Sequence, residues 1–192
     1  MAHAIPKIYY AVVSTTGATT NLSDTITSVG SLTGLTVGMY VEGAGIPANT
    51  QIIAIGVNVQ LNKQATANGT VSLTFFNRVV FEYPPIEAGG ETIDPKERQS
   101  TSISGKVQTS IDFVEGKRSL NFSFLSQDIY DALKLFHTSH AYIGRTFRYF
   151  DDQTLGTYIE YELSDLRFEG KKIAPKGTGY VWQVPLKFRR VL

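Results

Sequence analysis

His137 and His140 stand three residues apart, a spacing that places two imidazoles near each other on a helix surface, close enough to share a metal ion. A zinc site needs further ligands, yet His3 is remote in sequence and the chain has no cysteine. The pair is read instead as two solvated imidazoles near a helix C-terminus, where the dipole favours them. Glu160 and Glu162 could act as acid and base in glycoside hydrolysis, but alternate positions on one face are what any wetted strand offers. The segment Asp151-Asp-Gln-Thr-Leu-Gly156 lacks the alternating oxygen ligands and closing glutamate of an EF-hand and suits a hairpin turn. Gly43-Ala-Gly45 lacks the third glycine, the Gly-Lys-Ser/Thr ending and the following helix of a phosphate loop. With no Gly-x-Ser-x-Gly elbow either, the expectation is a chain without catalytic residues, metal or cofactor, and not an enzyme.

The elements that would position these residues centre on 120–150. Leu120, Phe122 and Phe124 alternate with Asn121 and Ser123, as in a strand buried on one face. Ser126 is then the expected N-cap, its oxygen accepting from the first turn, with Asp128 at the positive end of the dipole. Ile129, Leu133 and Phe136, with Ala132 beside them, recur at helical spacing, while Gln127, Asp131, Lys134 and His137 face away. The spacing predicts a helix over about 127–139, ended by Gly144 and followed by an aromatic strand over 146–150.

A chain of 192 residues can bury its own core, and the missing cysteines exclude disulfides and thiolate chemistry. A formal net charge of +1 gives no reason to expect nucleic acid, and no apolar run is long enough for a membrane span. Residues 8–13 read as a first strand rather than a signal core.

Charge is unevenly distributed. Residues 15–76 carry only Asp24, Glu42 and Lys63 and are rich in Thr, Gly and Val. The expected organisation is mainly β in two modules. Residues 1–14 form an N-terminal strand that can join the second sheet, 15–76 a small β-sandwich or barrel, and 77–192 an antiparallel β-sandwich carrying one main α-helix. In the first module Val57, Val59 and Leu61, then Val71, Leu73 and Phe75, alternate with polar residues.

In the second module, Pro84, Pro85, Pro95 and paired glycines predict a long exposed loop over 84–104, either an arm reaching a neighbouring subunit or simply a mobile segment. Val107, Thr109, Ile111 and Phe113 alternate with charged and polar residues, and Glu115-Gly-Lys-Arg118 is expected to turn that strand into the next. Trp182, Val184, Leu186 and Phe188 form an apolar face opposite Gln183, Lys187 and Arg189, with Pro185 marking an edge or bulge. If this last strand pairs with 158–163, Glu160 and Glu162 should face Lys187 and Arg189. The candidate interface residues are Tyr83, Pro84, Pro85, Asp94, Pro95, Lys187 and Arg189.

Two stretches carry a resemblance. The run from Leu35 through Gly38, Gly43 and Gly45 to Ile52 resembles a glycine-rich β motif of tailed-phage structural proteins. Phe81-Glu-Tyr-Pro-Pro, Ser104-Gly-Lys-Val-Gln, the Leu125-Ser-Gln-Asp helix start and Gly144-Arg-Thr-Phe-Arg-Tyr-Phe-Asp-Asp together resemble the distal tail and related baseplate proteins of tailed bacteriophages, over most of 77–192. The resemblance implies a virion tail protein acting by assembly: a homo-oligomeric ring, commonly of six subunits, joining the tail tube to hub or receptor-binding proteins, without nucleic acid or membrane. The Thr/Gly-rich front module departs from the simplest members. The alternatives are a carbohydrate-binding adhesin or tail-fibre module, and a head-to-tail connector or decoration protein.

Overall fold

The computed structural model describes residues 5–88, 92–101, 107–154, 156–176 and 179–190, with the side chains of 87–88, 93–101, 107–115 and 176 left undescribed. The chain is mainly β, with antiparallel strand pairings and, among the described residues, a single α-helix, consistent with a β-sandwich-like fold. It divides into two compact units, Tyr9–Arg78 and Met1–Ile8 with Val79–Leu192. The divisions lie at 8/9 and 78/79, compared with the composition shifts at 14/15 and 76/77. Both fall inside long strands, β1 (Lys7–Thr19) and β6 (Gly69–Val80).

The unit Tyr9–Arg78 adds β2 (Thr25–Ile26), β3 (Tyr40–Gly43), β4 (Thr50–Ile55) and β5 (Val59–Leu61). Their order is β2-β5-β4-β3-β6-β1, and Thr27, just after β2, bridges back to Ala18 of β1 through N–H···O bonds of 2.8 and 3.0 Å. The pairings therefore close into a small barrel, which removes free strand edges. Ile26, Met39, Val41, Ile52, Val59, Leu61, Leu73 and Phe75 fill it. At Gly17 a Cβ would meet Ile26 Cγ2 at 2.6 Å and Leu73 Cδ1 at 2.8 Å, so the closure requires glycine there. Val57, expected on a strand face, lies before β5 and is 91% exposed.

In the other unit, β7 (Glu87–Ala88), β8 (Thr92–Thr101), β9 (Val107–Leu125), β10 (Phe147–Phe150), β11 (Ile159–Leu163), β12 (Lys171–Lys176) and β13 (Gly179–Arg190) accompany α1 (Gln127–Ser139). The order is β10-β11-β13-β9-β7, with β12 on β13 and β8 on β9. The start of the chain is tied in here: Pro6 O accepts from Phe81 N, Ile5 O from Gln153 N, and the Lys7 ammonium lies 4.5 Å over the Phe150 ring. The core is aromatic. Phe81 stacks on Phe122 with centroids 4.0 Å apart, and Phe147 meets both Phe136 and Phe188 edge-on at 5.1 Å.

Helix α1 buries Ile129, Leu133 and Phe136, as their spacing requires, and Asp128 sits in its first turn. Two details differ from expectation. Ser126 is the N-cap residue but makes no side-chain cap bond, because its hydroxyl donates to Glu82 Oε1 at 3.3 Å instead. His137 is buried rather than facing water.

Three corrections concern the sheet. Thr92–Thr101 of the expected loop is strand β8, paired with β9 from Thr92↔Lys117 to Thr101↔Val107. No turn occurs at 115–118, since Asp94↔Glu115, Ile93↔Gly116 and Thr92↔Lys117 continue the pairing through it. Phe124 does not share the buried face of Leu120 and Phe122. Trp182↔Leu125 and Val184↔Phe122 leave Gln183 opposite both Ser123 and Phe124, a bulge that reverses the alternation. Ser123 is consequently buried and Phe124 exposed, with φ +62°. Other expected positions, His3, the side chains of Val107, Thr109, Ile111 and Phe113, and residues 102–106, lie outside the described residues.

Candidate interaction surface

The expected interface residues fall in three places rather than one. Tyr83, Pro84 and Pro85 come together with Ile86, Ser123 and Phe124 around a shallow groove of about 320 Å³. The segment is positioned from both ends: Phe81 is stacked in the core before it, and Ile86 N donates to Asn121 O at 2.9 Å after it. Proline rings at 84 and 85 restrict the backbone between these anchors. Tyr83, Ile86 and Phe124 are each more than half exposed, a concentration of apolar surface that a solitary side chain would not make notable. Phe124 was missing from the sequence-derived set because a bulge leaves no mark in the hydrophobic pattern. A non-glycine residue at positive φ costs roughly 1–2 kcal/mol, so its ring is held outward at the expense of backbone strain.

Asp94 and Pro95 lie in β8, paired with Glu115 and Val114. Residues 107–116 of β9 pair with β8 but not with β13, whose register on β9 begins at Lys117. At about 3.3 Å per residue, residues 93–101 of β8 and their partners form a two-stranded ribbon about 30 Å long. Among the described residues no other strand pairs with β8.

Lys187 and Arg189 project from β13 into ion pairs, with Asp165 at 3.5 Å and Glu162 at 2.6 Å. Hydrogen bonds place Asp165 below the usual carboxylate range, the Arg167 N–H first and the Lys187 ammonium second. Glu160 does not face Lys187. It lies opposite Arg148 of β10, at 3.5 Å, because β11 is sandwiched between β10 and β13. Neighbouring carboxylates thus pair to opposite sides, unlike the convergent acids of glycoside hydrolysis.

The histidines are structural fasteners. His137 Nε2 lies 2.9 Å from Leu166 O and His140 Nε2 lies 2.8 Å from Thr146 O. A carbonyl can only accept, so each Nε2 carries a proton and donates. Burial is the main reason His140 titrates below its ordinary value. Among the described residues no three His, Asp or Glu side chains converge as a metal site. Arg118, largely buried, lies 5.2 Å from the Tyr149 ring centroid and donates to Asp151 at 2.5 Å. Burial works to lower its pKa, but Asp151's hydrogen bond and charge more than offset that and hold it above the usual arginine range.

No protein-family model, curated protein or solved structure matches the chain.

Proposed function

We propose that this chain is a non-enzymatic structural component of a phage tail, a distal-tail or baseplate adaptor that assembles as a ring and links the tail tube to hub or receptor-binding proteins. The motif resemblance over 77–192 supplies the biological setting. The observation that carries an assembly role is the β8–β9 ribbon, whose ten-residue strand β8 has no second strand partner among the described residues. A two-stranded hairpin is marginally stable alone in water and presents unpaired backbone groups along its edges. Contact with another copy of the chain satisfies those groups, and a repeated head-to-tail contact closes into a ring when its rotation permits. The Tyr83–Phe124 groove adds apolar area to the same role.

Immunogold labelling of virions carrying this chain tests the reading. Label confined to the tail tip is the expected result. Label on the capsid or the neck contradicts it and favours the decoration or connector alternative.

A further inference from the structure

We infer that a cleft beside β13, bordered by the 164–171 segment, is a binding site for a neutral, hydroxyl-rich sugar ring. The cleft exists because the sheet is interrupted. On one side of β13, pairing with β11 ends at Phe188 and pairing with β12 begins at Gln183, leaving 184–187 without a strand partner there among the described residues. Ser164 N donates to Lys187 O at 3.0 Å, so the backbone groups of Lys187 point to that side. Those of Pro185, two residues earlier, point the same way. Pro185 has no N–H to donate, so the interruption leaves no unpaired donor at that position.

The chain from β11 to β12 detours around this gap and is fixed along its length. Leu166 O is held by His137, and the Phe168 ring lies 5.2 Å from His137 and 5.6 Å from Tyr130. Gly170 packs against Tyr130 so closely that a Cβ would come within 2.4 Å of its ring. Tyr130 in turn stacks on Trp182 at 3.7 Å, and Trp182 Nε1 donates to Gln127 Oε1 at 2.9 Å. Helix, segment and strand therefore hold the cleft open as one packed unit.

Its lining is Asn121, Glu169, Gly170, Lys171, Gln183 and Pro185, around a volume of about 350 Å³. That size lies at the lower end of small-molecule sites. Gln183 Nε2 donates to Asn121 Oδ1 at 3.1 Å, which orients both amides and leaves Gln183 Oε1 to accept and Asn121 Nδ2 to donate. A sugar hydroxyl donates and accepts at once, so adjacent hydroxyls match such an amide pair. Glu169 supplies a further acceptor and Lys171 a further donor, and their opposite charges give no preference for an ionised ligand. The exposed ring of Pro185 offers C–H surface to the sugar's apolar face.

The test uses the full chain with methyl glycosides of glucose, galactose, mannose and N-acetylglucosamine, followed by saturation-transfer NMR and calorimetry. At least one glycoside should bind saturably, with Kd in the region of about 1 mM or tighter. Gln183→Ala and Lys171→Ala should each weaken it by about tenfold, the loss of roughly one hydrogen bond to a constrained partner. Lys171 is exposed, so its substitution leaves the fold intact, and Lys134→Ala on the outer face of α1 should leave affinity unchanged. No saturable binding by any of the four, or binding that survives both cleft substitutions, overturns the assignment. Ring formation is measured separately and neither outcome bears on it.

Discussion

Arg189 Nη2 donates to Glu162 Oε2 at 2.6 Å, and the two residues are direct register partners across β11 and β13. The contact follows from the backbone pairing of β11 with β13. Both side chains reach solvent, so its energetic value is modest: Glu162→Gln should cost at most about 1 kcal/mol, and added salt should reduce that cost. A double-mutant cycle with Arg189→Gln, followed by urea unfolding, measures it.

Asp151→Ala should be more damaging. The change strands the Arg118 guanidinium beside Tyr149 and Tyr161 with its principal counter-charge gone. The expected loss is about 2 kcal/mol, less than for a fully enclosed pair because Asp151 itself is largely exposed. Thermal unfolding of Asp151→Ala beside Asp151→Asn gives the comparison, with the asparagine retaining part of the hydrogen bond.

Phe124 separates stability from assembly. Phe124→Gly removes the strain of a non-glycine residue at φ +62° but adds backbone freedom to the unfolded chain, so stability should change by less than about 1 kcal/mol. Self-association should weaken, because the ring at the groove is gone. Concentration-dependent light scattering and denaturant midpoints on the same variant read the two effects independently.

The pH dependence near neutrality should follow His140. Burial lowers its folded pKa, the Thr146 carbonyl opposes that shift, and Arg145 reinforces it. The unfolded chain therefore takes up a proton first. Stability is complete above about pH 6.5 and declines as pH falls below it, until the folded imidazole is also protonated. Urea midpoints at pH 7.5 and 5.5 should differ in the parent chain and converge in His140→Gln. Asp152, held below its ordinary value by Thr154's hydroxyl and then its N–H, and Asp165 act elsewhere, their contributions fading only as pH drops below about 3.8.

Gly170→Ala should disturb the 164–171 segment, since the added methyl enters the space of the Tyr130 ring. A loss of about 1–3 kcal/mol is expected, the range for overpacking, with a change in near-UV circular dichroism from the displaced Tyr130–Trp182 stack.

Helix α1 was legible because Ile129, Leu133 and Phe136 must all reach one core at a 3.6-residue period. The alternation of Trp182, Val184, Leu186 and Phe188 was equally clear, because β13 has one buried face. Strand β8 was hidden for the converse reason. Its charges and Pro95 follow no two-residue apolar alternation, and the strand is defined by its backbone pairing to β9. The reversal at Phe124 is a register event between β9 and β13, which no single segment encodes. His137 and His140 were misplaced because imidazole was counted as a wet side chain, whereas loop carbonyls nearby gave each a buried acceptor. Of the residues lining the groove, Tyr83, Pro84 and Pro85 stand in a segment singled out for its prolines, while the presence of Ile86 and Phe124 beside them required the fold.

The absolute mass of the full chain in solution, by light scattering over a wide concentration range with negative-stain imaging of the particles, tests the assembly reading most directly. A closed ring of defined copy number, lost when β8 and residues 107–114 of β9 are shortened, is the result expected. A monomer at every concentration, or a ring unaffected by shortening the ribbon, contradicts it.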